Sequence, residues 1–265
     1  MRKIIIIIIS LSSLLIISCA SQSNAIKKTD VYVERSIQYF TDKKYSKARD
    51  RFQNIINNNQ GTVLAVEALY YLALCEYELK EFNNAKQSFK EYIRYSQDNL
   101  RRQDAEYNIC LCMFELTLDY KKEQIATKKA IDAFQTFIEK YPGDKKYLSD
   151  MTEKIGVLRD KLALKRYESA KLYIKAEQYE SAKLYFDELL VHFRDTKYAD
   201  DARIGHIIVL LMNEQKNEAI DFLSNYKNEF NSNDKYREAQ EIIDNTNSPY
   251  TIKGLYFIDY IKKII

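Results

Sequence analysis

Five alanines along this chain, each with a bulky apolar residue four positions later, are spaced like the units of a repeat, and that spacing fixes most of what the chain can fold into. The first copy is Tyr45-Ser46-Lys47-Ala48-Arg49-Asp50-Arg51-Phe52. The same aromatic-x-x-Ala-x-x-x-Phe spelling returns at Phe82, Ala85, Phe89 and at Tyr179, Ala182, Phe186. Looser copies stand at Ala130/Phe134 and Ala219/Leu223. Residues four apart lie on one helix face, one above the other. The small alanine lets a neighbouring helix come close, and the phenylalanine fills the gap beside it. The aromatic three residues before the alanine closes the turn that leads into the helix. Each copy therefore marks the second helix of a helix-turn-helix unit.

The alanines are spaced 37, 45, 52 and 37 residues apart. These intervals resemble the tetratricopeptide repeat, whose period is about 34 residues. They predict an all-α, tetratricopeptide-like α-solenoid of about five repeats, the third and fourth with longer helices or loops. Five glycines and two prolines in 265 residues leave little from which to build sheets or irregular loops. The net charge of +3 comes from 41 basic and 38 acidic residues with both signs interspersed, which is no nucleic-acid surface. Twenty-two tyrosines suit half-buried faces and peptide contact.

The N-terminus reads as an address. Met1-Arg2-Lys3 is a basic head, followed by an apolar run from Ile4 to Ile17 broken only by serines. The run is short for a membrane span of about 20 residues and fits the core of a secretory signal. It ends in Ile16-Ile17-Ser18-Cys19, which resembles the bacterial lipobox. That resemblance implies cleavage before Cys19 and a covalent lipid on it, S-diacylglycerol on the thiol and an N-acyl group on the new amino terminus. Several acyl chains together anchor stably. Ala20-Ser21 carries no inner-membrane retention Asp, which favours the outer membrane.

This gives a signal peptide over 1–18, a lipidated cysteine and tether over 19–29, N-terminal repeats 1–3 over 30–141, C-terminal repeats 4–5 with a capping helix over 142–247, and an apolar tail over 248–265. The first repeat pairs a helix from about Asp30 to Thr41 with one from Tyr45 to Asn58, and Gly61 can take a left-handed cap. The second spans Thr62 to about Tyr95. A long helical stretch to about Tyr120 follows, then one from Thr127 to Tyr141. Tyr141-Pro142-Gly143-Asp144 is the clearest turn. From Tyr147 to Lys175 the only breaker is Gly156. Asp200 and Asp201 read as a solvated acidic helix start, and residues 232–244 as a last capping helix. In the tail, Leu255, Phe257, Ile258, Ile261 and Ile264 form an apolar set that could cover the end of the array or dock a partner.

Signs of catalysis are missing from the sequence. There is no Gly-x-Ser-x-Gly, phosphate loop or His-Glu-x-x-His, no metal spacing, and neither His192 nor His206 has a neighbouring cysteine or acid in sequence. The expectation is a protein without enzymatic activity and without a cofactor beyond the lipid. Cys75, Cys110 and Cys112 read as small buried thiols, with a Cys75–Cys110 bridge as the alternative in a compartment that permits disulfides. Binding remains. First helices of stacked repeats line the concave side, which places Val33, Ile37, Phe40, Tyr70, Leu74 and Tyr77 in a groove suited to an apolar peptide.

The run Lys154-Ile155-Gly156-Val157-Leu158-Arg159-Asp160-Lys161-Leu162-Ala163, with the lipobox and five repeats, resembles the BamD (ComL/YfiO-type) family of outer-membrane assembly lipoproteins. The resemblance covers about Asp30 to Ile243. It implies a part of the machine that inserts β-barrels into the outer membrane, held at its periplasmic face by the lipid. Its partners would be the barrel insertase and unfolded outer-membrane proteins. N-terminal repeats would recognise the substrate through Val33, Ile37, Phe40, Tyr70, Leu74 and Tyr77; Arg159, Asp160 and Lys161 would lie at the insertase interface. A repeat scaffold organising peptidoglycan synthesis or cell division is the alternative, although the short tether supplies no coiled coil. A solute-binding repeat lipoprotein would be longer and display Trp platforms, and this chain has no Trp.

Overall fold

A computed structural model describes residues 31–246. The expected signal peptide, Cys19 with its expected tether, and the expected apolar tail lie outside the described residues. Every regular element among those residues is helical. In order these are α1 (31–41), α2 (Tyr45–Asn58), α3 (Val63–Glu78), α4 (Phe82–Tyr95), α5 (Asn99–Glu115), α6 (Ile125–Lys140), α7 (Lys145–Lys175), α8 (Tyr179–His192), α9 (Ala199–Met212), α10 (Lys216–Asn225), a 3₁₀ turn (Lys227–Glu229) and α11 (Asn233–Asp244). From α2 to α5 and from α6 to α10 the helices pack on their sequence neighbours, and α11 packs on α9 as well as on α10. This is the tetratricopeptide-like architecture that the alanine spacing predicts.

The chain divides into two compact units, the first running through Leu116 and the second beginning at Thr117. The sequence reading divides the repeats later, at the Tyr141-Pro142 turn. In unit 1, Ala48, Phe52, Ala85 and Phe89 are all buried and join one core with Leu69, Leu72 and Tyr92. In unit 2, Ala130 and Phe134 are fully buried, and Ala182 and Phe186 do the same for α8. Ala219 and Leu223 complete the core beneath α11. Burying one phenylalanine contributes about 2–3 kcal/mol, so these positions carry much of each unit's stability.

Two kinds of helix start alternate. First helices α3, α5, α7 and α11 have side-chain caps, whereas α9 starts at Tyr198 without one. Thr62 accepts from the Ala65 N–H at 3.2 Å, and Asp98 from those of Leu100 and Arg101. Asp144 caps α7 and Ser232 caps α11 in the same way. Second helices α2, α4, α8 and α10 have none. They start directly from a left-handed turn residue, Lys43, Lys80, Glu177 or Glu214, at φ between 58° and 62°. At each turn two amides bond back into the preceding helix. The Lys80 N–H donates to the Tyr77 carbonyl and the Glu81 N–H to that of Glu76, and the other three turns repeat the pattern. This is the Schellman arrangement, built here on Lys and Glu instead of Gly. Gly61 also takes a left-handed conformation, at φ 78°.

Helix α5 stops at Glu115 instead of running to Tyr120. The physical reason lies in Asp119 and Gln124. The Asp119 carboxylate accepts from the Lys121 N–H, and the buried Gln124 amide donates to the carbonyls of Asp119 and Lys122. Thr127 Oγ1 then donates to Gln124 Oε1 at 2.7 Å. These local bonds compete successfully with helix continuation.

Helix α9 is buried along almost its whole length, Asp201 and Met212 excepted. Gly205 permits this: a Cβ there would run into the Phe186 ring. Gly156, in the exposed middle of α7, has open space around it. Gly205→Ala is therefore expected to destabilise unit 2 by about 2–3 kcal/mol through overpacking. Gly156→Ala is expected to stabilise it by about 1 kcal/mol through helix propensity. Thermal unfolding followed by circular dichroism should move in opposite directions for the two; equal shifts would contradict this account of the α8–α9 contact.

Candidate functional site

The six residues predicted to line a groove in unit 1 do not all meet. Val33 and Ile37 of α1 line a cavity of about 180 Å³. Its other walls are Phe52 and Ile55 from α2, and Leu64, Ala68 and Tyr71 from α3. Glu67 and Arg101, 3.3 Å apart and about half exposed, give it a charged edge. Phe40 reaches this wall through an edge contact to Tyr71 (6.1 Å between centroids). Tyr70 points away, packing on Phe89 and Tyr92 and donating its hydroxyl to Asp104. Leu74 and Tyr77 are half-buried against the core, with the Tyr77 ring edge-on to Phe82. The arrangement can hold one apolar side chain beside an ion pair.

In unit 2 the polar groups of Arg159, Asp160 and Lys161 bond within the chain. Arg159 donates from Nε to Asp195 and from Nη2 to the His192 carbonyl, each at 2.8 Å, which caps the C-terminus of α8. Its guanidinium holds the Asp195 carboxyl below the usual carboxylate range. Asp160 accepts from the Lys197 N–H and lies 3.5 Å from Lys197 Nζ. Lys161 donates to Thr117 Oγ1 at 2.7 Å, and burial pushes its ammonium pKa down. The run thus pins α7 to the α8–α9 connection and to the start of the unit. Two hollows flank it. One of about 630 Å³ includes Arg159, Arg166, Ile125 and Phe193; the other, about 390 Å³, includes Asp160, Lys161, Leu118 and Val157.

Three charged clusters escaped the sequence reading. Asp200 is buried, a correction to the solvated helix start expected at Asp200/Asp201. Its carboxylate lies 2.9 Å from the fully buried Arg203 and accepts the N–H groups of Asn231 and Ser232. Glu229 gives Arg203 a second partner at 3.3 Å. His206 does have an acid beside it, again contrary to expectation. Its Nδ1 stands 2.8 Å from Asp187 Oδ1, at an angle that leaves the nitrogen without an aligned hydrogen bond. The ring stacks on Phe222 at 4.0 Å. His192 ends α8, exposed, with its ring near Phe193. Glu76 is buried in α3 and accepts from Ser88 Oγ at 2.7 Å. An acid inside the apolar run of α3, and Asp-x-x-Arg inside that of α9, were the available signals.

Among the described residues no group of His, Cys, Asp and Glu is arranged to hold a metal ion. Cys75, Cys110 and Cys112 are free and buried, and burial pushes each thiol up to about 12. The nucleophilic thiolate is thereby suppressed.

Burial raises the Glu76 carboxyl above its ordinary value of 4.5, more than the Ser88 bond lowers it. The fold therefore favours the protonated form. Its contribution is complete below pH 4.5 and is lost as pH rises through the raised folded value. Glu76→Gln is expected to raise the melting midpoint of unit 1 at pH 7, with the gain fading toward pH 4. A gain that instead grows on acidification would reverse the sign of this cost.

Comparison with curated proteins found no match. Residues 24–215 match the model of the YfiO family, described as outer membrane lipoprotein. That span takes in both units and runs from seven residues before the first described position, through the Arg159-Asp160-Lys161 run, to the turn before α10. The chain belongs to the YfiO (BamD-type) family of outer membrane lipoproteins.

Proposed function

We propose that this protein is a lipid-anchored scaffold of the outer-membrane β-barrel assembly machinery. It is held at the periplasmic face through N-acyl and S-diacylglycerol groups on Cys19. Unit 1 would recognise unfolded outer-membrane proteins, an apolar side chain entering the cavity at Val33 and Ile37 beside the Glu67–Arg101 pair. Phe40, Tyr70, Leu74 and Tyr77 would shape that face from behind. Unit 2 would hold the barrel insertase on the surface around Arg159, Asp160 and Lys161. The family match carries this reading. The apolar cavity and the two hollows beside α7 support it, as they offer shape and apolar contact with charged groups at the edge. Because the Arg159 and Asp160 groups bond internally, they would act on a partner by fixing the Asp195–Lys197 segment.

Affinity purification of the tagged, membrane-extracted protein from its own host, followed by mass spectrometry, tests the proposal. The expected result is recovery of a large outer-membrane barrel protein with periplasmic repeats. Asp160→Lys should cut that recovery about tenfold while the melting midpoint, measured alongside, stays within a few degrees. Peptidoglycan synthases or division proteins in place of the barrel would instead establish the envelope-organising alternative.

A further inference from the structure

In unit 1 the connections between α2 and α3, α3 and α4, and α4 and α5 are short, and each of these helices packs on the next. The helices therefore alternate in direction. The starts of α3 and α5 and the ends of α2 and α4 share one edge, and the start of α1 joins them because α1 and α2 are linked by a tight turn. Four large apolar side chains stand out on that edge: Val31 (59% exposed), Val63 (80%), Tyr95 (54%) and Leu100 (80%). Val63 and Leu100 hold nearly the same place, one and two positions past the caps Thr62 and Asp98. The opposite edge, at the turns around Lys43 and Lys80, exposes no large apolar side chain among the described residues. It is charged instead, with Asp42, Lys43, Lys44, Glu78 and Lys80 exposed.

Part of the charge on the apolar edge is taken up within the unit, while Glu34, Arg35 and Arg94 stand exposed on it. The Asp98 carboxylate is taken up in its cap, and Glu67 pairs with Arg101. Arg94 lies 5.5 Å from the Tyr95 ring, a cation beside an interfacial aromatic.

We propose that this edge rests on the membrane surface, with Val63, Tyr95 and Leu100 entering the headgroup layer. The occupant is argued from where the chain enters the unit. Cys19 stands twelve positions before Val31, so a lipid on Cys19 ties the start of α1 to the bilayer by at most about 40 Å of extended chain. The apolar edge is the edge that the tether reaches first. Tethering makes its contact with lipid effectively intramolecular, so a few apolar side chains with weak individual affinity suffice. The inference rests on the lipoprotein reading and adds an orientation to it: the charged edge faces away from the membrane.

The test uses the membrane-extracted, full-length protein reconstituted into vesicles of phosphatidylethanolamine and phosphatidylglycerol. Val63→Cys and Leu100→Cys on the apolar edge, and Asn83→Cys on the charged edge, are labelled with an environment-sensitive fluorophore. The native thiols in the array are buried and will not compete for the label. Nitroxide lipids are expected to quench the label at 63 and 100 severalfold more than at 83, with blue-shifted emission at the first two. Mass spectrometry of the N-terminal peptide reads the lipid separately. A chain acylated on Cys19 whose three labels quench alike overturns the edge proposal alone. A chain with no acyl group on Cys19 overturns the lipoprotein reading, and the membrane-resting edge with it.

Discussion

Helix spacing in this protein is set by pairing one small and one large side chain at each contact. Ala48, Ala85, Ala130, Ala182 and Ala219 are fully buried, and the Phe or Leu four residues later fills the volume that each alanine leaves open. Protein interiors are as dense as organic crystals, so this division of volume fixes distance as well as composition. Where α9 comes closest to α8 even alanine is too large, and Gly205 faces the Phe186 ring. Within each unit, the stacking of each helix pair on the next depends on neighbouring helices staying at that separation.

What the sequence made legible follows from periodicity. The repeat class, the starts of α2, α4 and α8, the long α7 and the closing helix α11 each have a regular spacing or a breaker behind them. The left-handed turns were hidden because they carry Lys43, Lys80, Glu177 and Glu214 where a reader looks for glycine. The end of α5 was hidden because Asp119 and Gln124 stop it through side-chain bonds that no composition rule announces. Asp200 looked like an ordinary acidic helix start, yet its carboxylate serves Arg203 and the start of α11. His206 and Asp187 come together only through the packing of α9 on α8. Of the candidate binding residues, Val33 and Ile37 share a cavity with residues of α3, whereas Tyr70 turns to α4 and α5 and Tyr77 to Phe82 of α4.

Charge is spent inward more than its even distribution suggests. Arg159 closes the C-terminus of α8, Lys161 reaches Thr117, and Arg203 is enclosed by Asp200 and Glu229. Removing Asp200 strands the buried Arg203 charge, which costs more than the pair contributes, and removing Arg159 or Lys161 breaks bonds that hold neighbouring elements. Substitutions at these positions will therefore mix folding effects with binding effects, and exposed neighbours such as Lys197 make cleaner probes of a surface.

The enclosed thiols bear on the company that a barrel-assembly scaffold would keep. In the proposed periplasmic location, the three free cysteines among the described residues would be exposed to mixed-disulfide formation with any unfolded chain carrying a reactive sulfur. Cys75, Cys110 and Cys112 avoid that chemistry by location, since attack requires a thiolate that burial suppresses and an approach that packed helices block. Protection exists only once the helices have closed over them. In the proposed periplasmic setting, the interval before folding would be when this chain is open to covalent capture, and its short-range helix pairs favour fast closure.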